Sequence, residues 1–184
     1  MARMKAVDIK VICQVDLAAA QNASATIDKA VATVKENALD GYSFTATSKE
    51  TASEAVGRLS SAKSESQILV FEGDPVFIAS EDIAKIDLFV LATETIENPY
   101  DLRNVMDDAL EQGVPKERIL LSASQNGVFY DSENMEIPVL EAMADNVVEF
   151  GPMAGLALYD IESDYYHYDR NWSNLRSAIH RLNP

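Results

Sequence analysis

Short polar and acidic side chains follow the apolar runs of this chain. Asp16 comes after the first, Thr47 and Ser48 after the second, Glu72 and Asp74 after the third, Thr93 and Glu94 after the fourth, and Ser122 to Asn126 after the fifth. Carboxylates gathered at such positions can serve as nucleophile and acid/base, or can hold Mg²⁺ through oxygen ligands. The same residue types also end strands for a local reason, because Asp, Ser and Thr cap the next helix or form the turn. Glu94 is the candidate catalytic carboxylate, since it follows the most hydrophobic run, Asp87-Leu88-Phe89-Val90-Leu91-Ala92, where partial desolvation can tune it. Asp16, Asp74, Asn98 and Asp101 are the candidate ligand-binding residues. Asn98 opens a helix beside a strand end, a place that holds an anion or positions a hydroxyl, but Asp101 already complements that helix dipole and makes a phosphate less welcome. Asp107, Asp108 and Glu111 read as a solvated helix face.

Several chemistries lack their residues. The two histidines, His167 and His180, both lie near the C-terminal end, so no His/Cys zinc cluster is available and a Ser-His-Asp triad would have to use one of them. No G-x-G-x-x-G follows the first strand, and neither G-x-x-x-x-G-K-[ST] nor G-x-S-x-G occurs, which argues against a dinucleotide, a P-loop nucleotide or a hydrolase elbow. We assign no metal ligands and no cofactor. Cys13, alone in Val11-Ile12-Cys13, cannot form an internal disulfide and reads as a buried, inert thiol.

The elements that must position these residues alternate between extended and helical character. Ile9 to Val15 reads as a buried strand, and Ile27, Val31, Val34 and Ala38 recur at helical spacing up to a stop at Gly41. Phe44 to Ala46 is a short strand. Thr47-Ser48-Lys49-Glu50 has the form of a capping box, and Ala52, Ala55, Val56 and Leu59 give the helix after it an apolar stripe. Gln67 to Phe71 and Asp87 to Ala92 read as further strands, with Ser80 opening a short helix between them. Asn98 as N-cap, Pro99 at the first position and Gly113 at the end punctuate a helix whose apolar face is Leu102, Val105, Ala109 and Leu110. Arg118 to Ser122 is the strand after it. Asn126-Gly127 signals a hairpin between Leu120–Ser124 and Val128–Tyr130. Pro138 opens a helix with Leu140 and Met143, Val147 to Phe150 and Leu156 to Ile161 read as strands, and Leu175, Ala178, Ile179 and Leu182 mark a closing helix. The expectation is a single α/β domain over residues 1–184, a Rossmann-like three-layer sandwich with a mainly parallel sheet and a less regular segment over 123–184. Ligands then bind beyond the carboxyl ends of the strands.

The layout of Ile86-Asp87-Leu88-Phe89-Val90-Leu91, of Ala109-Leu110-Glu111-Gln112-Gly113, and of Ala144 to Phe150 before a Tyr-rich end resembles the nucleoside 2-deoxyribosyltransferase family over about half the chain. That resemblance implies an oligomeric parallel α/β sandwich and a nucleoside-like ligand. The family's glutamate in a Gly-rich helix start is absent: Asn98 to Met106 reads NPYDLRNVM, so no nucleophile carries over and the implied chemistry is altered or lost.

The net charge of −15, from 30 acidic and 15 basic residues, repels phosphate backbones, so neither nucleic acid nor an anionic membrane is an expected partner. No signal peptide is visible at Met1-Ala2-Arg3-Met4-Lys5 and no apolar run approaches about 18 residues, so we expect a cytoplasmic, soluble protein. The aromatic and acidic run from Tyr159 to Trp172 suits a homo-oligomer interface. Arg170, Arg176 and Arg181 make the closing helix locally basic, ready to dock on an acidic surface. Two functions remain in view. The first is a small-molecule-binding domain, nucleoside- or nucleotide-like in ligand and related to glycosidases or transferases. The alternative is a non-catalytic interaction or assembly protein that uses its acidic surface and Tyr-rich segment. A metal-dependent phosphate enzyme is a third.

Overall fold

The structure, a computed structural model, describes residues 9–93, 99–124, 128–130, 136–159 and 171–182. Glu94, Asn98, the Asn126-Gly127 turn and the Tyr-rich stretch 160–170 lie outside them, and so do the proposals that rest on those residues. Strands β1 (Cys13–Asp16), β2 (Gly41–Thr45), β3 (Ile68–Glu72), β4 (Leu88–Leu91), β5 (Ile119–Ser124) and β8 (Gly155–Tyr159) form one sheet in the order β1-β2-β3-β4-β5-β8. The helices are α1 (Ala23–Asn37), α2 (Lys49–Ala62), α3 (Pro99–Glu111), α4 (Val139–Phe150) and α5 (Asn171–Leu182), and β6 (Val128–Tyr130) pairs with β7 (Glu136–Pro138) apart from the sheet. A doubly wound sandwich needs a switch point where strand order reverses. Here each strand follows its predecessor without a reversal, so the Rossmann-like arrangement gives way to a singly wound α/β sheet. Right-handed crossovers in such an order bring the helices to one face. The other face is then left to the strands' own side chains.

The chain divides into two compact units, residues 1–89 and 90–184. In the first, β1 and β3 flank β2 in parallel, with Val15, Phe44 and Phe71 in one row and Asp16, Thr45 and Glu72 in the next. The Val15 row is buried, and Phe71 packs against Phe44 at 5.2 Å and Phe89 at 6.2 Å between ring centres. Apolar rows of this kind suit the stripes of α1 (Ile27, Ala30, Val34) and α2 (Ala52, Ala55, Val56, Leu59), all buried.

Local chemistry sets the helix ends. Asn22 Oδ1 caps α1 by accepting from the Ala25 amide at 3.0 Å, and Ala38, in the left-handed region at φ 50°, ends it. The stop expected at Gly41 therefore falls earlier. Gly41 instead opens β2, at φ +150°, where a Cβ would lie 2.0 Å from the Ile68 carbonyl oxygen. The cap of α2 is Ser48, which accepts from the Thr51 amide at 3.2 Å, one residue later than the expected Thr47 box. Between β3 and β4 only 3-10 turns form, at Pro75–Phe77 and Ile83–Lys85, in place of a helix from Ser80.

In the second unit α3 starts at Pro99 and stops at Gly113 (φ +89°) in a Schellman arrangement: Gly113 N–H donates to Leu110 O and Val114 N–H to Ala109 O. Its buried face is Leu102, Met106 and Ala109, while Leu110 is 40% exposed. β5 pairs in parallel with β8, and β6 pairs antiparallel with β7, so β5 and β6 do not form the hairpin that Asn-Gly suggested. Val147 to Phe150 is the end of α4 rather than a strand, because Leu140, Met143, Ala144 and Val147 complete a helical stripe. Arg181 of α5 pairs with Glu141 (3.0 Å) and Asp145 (2.5 Å) of α4, an ion pair within the chain that ties the basic helix down. Among the described residues no helix is long and apolar enough to cross a membrane.

Candidate functional site

Polar side chains replace the expected apolar ones on one face of β1, β2 and β3. Successive strand residues point to opposite faces, so Gln14 and Asp16, Ser43 and Thr45, and Glu72 share, with the buried Val70, the face that Val15, Phe44 and Phe71 leave. The polar residues form two hydrogen-bonded sets. Ser43, 1% exposed, donates its hydroxyl to Glu72 Oε1, and Gln14 Nε2 donates to Glu72 Oε2 at 3.1 Å. Beside them Thr45 Oγ1 donates to Asp16 Oδ1 at 2.8 Å and itself accepts from the Ala18 amide at 3.4 Å. Asp16 Oδ1 also accepts from the Ala19 amide at 3.2 Å.

The Thr45 hydroxyl, followed by the Ala19 amide, holds the Asp16 carboxyl below its ordinary value, because both donors stabilise the charged form. Asp16 is thus kept as an acceptor rather than a proton donor at neutral pH. Burial pushes the Cys13 thiol up, and the same cause, with Cys13 adding, raises the Tyr42 phenol. Cys13 is half-buried rather than buried as expected.

The other candidates are placed as follows. Asp74 Oδ1 accepts from the Val76 amide at 2.9 Å and so caps the 3-10 turn that follows β3. Asp101 lies in the first turn of α3. In the second unit, buried Thr93 donates its amide to Ser122 Oγ (2.8 Å) and its hydroxyl to Ser122 O (2.5 Å), tying the ends of β4 and β5. Asp82 and Asp87 serve the framework of the first unit: Asp82 accepts from Ser53 and Lys85, and Asp87 from Lys63 (2.9 Å) and the Leu69 amide (2.7 Å). Among the described residues no group of three or more His, Cys, Asp or Glu side chains could hold a metal ion.

Gln14 and Ser43 were not among the candidates, and Glu72 was noticed only as a strand exit. The signal was present as polar residues two apart inside strands, Gln14 and Asp16 or Ser43 and Thr45, which mark a polar face rather than a polar exit.

No protein-family model matches the chain, and no curated protein matches it. Solved structures do. A chitinase from Bacteroides thetaiotaomicron superposes with a TM-score of 0.74 at 10% identity, covering 99% of this chain and 79% of that one. The catalytic domain of a family GH18 chitinase from a fern, Peteris ryukyuensis, gives 0.70 at 16% identity, over 100% and 77%. A protein designated BT1044, as its E190Q variant, gives 0.66 at 14% identity, over 88% of this chain and 59% of its own. Against that last neighbour the chain spans well under two thirds of the length. The fold is therefore shared with GH18 chitinase-like proteins of the α/β barrel type, and the resemblance to nucleoside 2-deoxyribosyltransferases is overturned. The strings that suggested it have general causes. Leu88 to Leu91 is a buried strand, Ala109 to Gly113 a Schellman helix end, and Ala144 to Phe150 the face of an amphipathic helix, features that many α/β folds require.

Proposed function

We propose that this chain is a saccharide-binding α/β domain of the glycosidase type, and that the polar face of β1, β2 and β3 receives the hydroxyls of the sugar. The observation that carries the reading is the pair of hydrogen-bonded sets, Gln14 and Ser43 on Glu72 and Thr45 on Asp16, on a strand face where apolar packing is the rule. Sugar hydroxyls are donors, and charge-assisted hydrogen bonds to carboxylates are the stronger kind. The structural neighbours add support, since they are named as chitinases. In this reading Asp16 and Asp74 of the first unit are acceptors for the ligand; Asn98 and Asp101 are proposed as ligand-binding residues of the second unit, to be tested by substitution on their own. Glu94 is the proposed catalytic carboxylate, which would give its proton to the glycosidic oxygen as that bond breaks, while a water adds to the anomeric carbon and its proton returns to the carboxylate.

The test is calorimetric titration of the protein with an N-acetylglucosamine tetramer and, separately, with nucleosides. Saturable binding of the tetramer alone supports the reading. Asp16→Asn should then weaken binding about tenfold, the worth of one hydrogen bond to a charged group. Glu94→Gln should abolish hydrolysis of the tetramer while leaving its affinity within about threefold. Nucleoside binding without saccharide binding overturns the proposal.

A further inference from the structure

Glu72 is held through both of its carboxylate oxygens. Its two oxygens accept from two different strands: Ser43 of β2 on Oε1 and Gln14 of β1 on Oε2. Ser43 is 1% exposed, so a buried hydroxyl is aimed at this carboxylate. An ionised carboxylate only accepts, and the Gln14 amide must therefore turn its NH₂ toward Glu72 and its carbonyl Oε1 away from it. The result is a carboxylate with a fixed plane and a second, oriented acceptor reaching it from β1, across β2. Two fixed acceptors side by side suit a ligand that offers donors, such as adjacent hydroxyls or an amide N–H. A polar group whose rotamer is locked by such partners is preorganised, and binding then costs less ordering entropy.

We propose that Glu72 is the carboxylate on which recognition of the ligand at this face turns, and that Ser43 and Gln14 are its positioning residues. This rests on the saccharide-binding reading above and assigns it a residue outside the strand exits.

Affinity for the N-acetylglucosamine tetramer is measured for wild type, Glu72→Gln, Gln14→Ala, Ser43→Ala and the doubles Gln14→Ala/Glu72→Gln and Ser43→Ala/Glu72→Gln, alongside melting curves. Glu72→Gln should weaken binding about tenfold to a hundredfold. Gln14→Ala should weaken it several-fold, and each double should be no weaker than Glu72→Gln alone, because the positioning residue acts through the group already removed. A merely structural role would lower the melting temperature and leave losses of affinity additive. Gln14 is exposed, so its cycle stands even where Ser43→Ala fails to fold. Tetramer affinity unchanged in Glu72→Gln, or additive losses in the Gln14 cycle, overturns this inference and leaves the saccharide reading standing. No tetramer binding by the wild type overturns both.

Discussion

Replacing Phe71 by Ala tests the assignment of faces on which the site depends. Phe71 is fully buried, with Phe44 tilted against it at 5.2 Å and Phe89 edge-on at 6.2 Å. Truncating a buried phenylalanine removes its transfer free energy and leaves a cavity that strands pinned by their ladders cannot close, which costs about 3–5 kcal/mol. For a chain of this length about 2–4 °C accompanies each kcal/mol, so the melting temperature should fall by roughly 10 °C. Phe71→Leu keeps most of the volume and should cost no more than about 1.5 kcal/mol. The assay is equilibrium urea unfolding followed by circular dichroism, in which the midpoint should drop while the slope stays constant. Glu72 is the next residue and must point to the opposite face. Should Phe71→Ala cost less than about 1 kcal/mol, or no more than Phe71→Leu, the ring is not packed as described. The polar face then loses its basis.

Gly41→Ala should leave no cooperative unfolding transition in a thermal melt, because its Cβ would meet the Ile68 carbonyl oxygen at 2.0 Å at φ +150°. Gly57→Ala, inside α2 with nothing within 4 Å of the new Cβ, should instead stabilise by up to about 1 kcal/mol; equal melting temperatures for the two variants would contradict the packing of β2 on β3. The Asp16 carboxyl, followed by NMR, should titrate below its ordinary value of 3.8, and Thr45→Val should raise its midpoint. The sign follows from linkage: a carboxyl lowered in the folded state stabilises at pH above its unfolded value, and that stability is lost as pH falls through the folded midpoint. A wild-type midpoint at or above 3.8 would refute the hydrogen-bonding account.

Much of the local structure was legible because its causes lie within a few residues. Pro99 begins a helix and Gly113 ends one for reasons of backbone geometry that no distant contact alters. The stripe of α2 followed from spacing alone, since Ala52, Ala55, Val56 and Leu59 all proved buried. Asn126-Gly127 misled for the complementary reason. A turn signal says that the chain can reverse, but β5 found its partner in β8, more than thirty residues on, and β6 in β7. Likewise the apolar Val147 and Val148 satisfy a short strand or a helix equally well until Val147 joins Leu140 and Met143 in one buried stripe and Val148, 53% exposed, falls outside it.

Alternating strands and helices determined, from the sequence alone, that the sheet would contain parallel pairs and that Asp16 would sit at the end of the first strand. Only the tertiary structure decided the strand order, because a right-handed crossover permits each new strand to add at either edge. It also decided the partners of Glu72. Ser43 is 29 residues away and Gln14 58, and they meet it only in this register. A shift of one residue would send all three side chains to the other face.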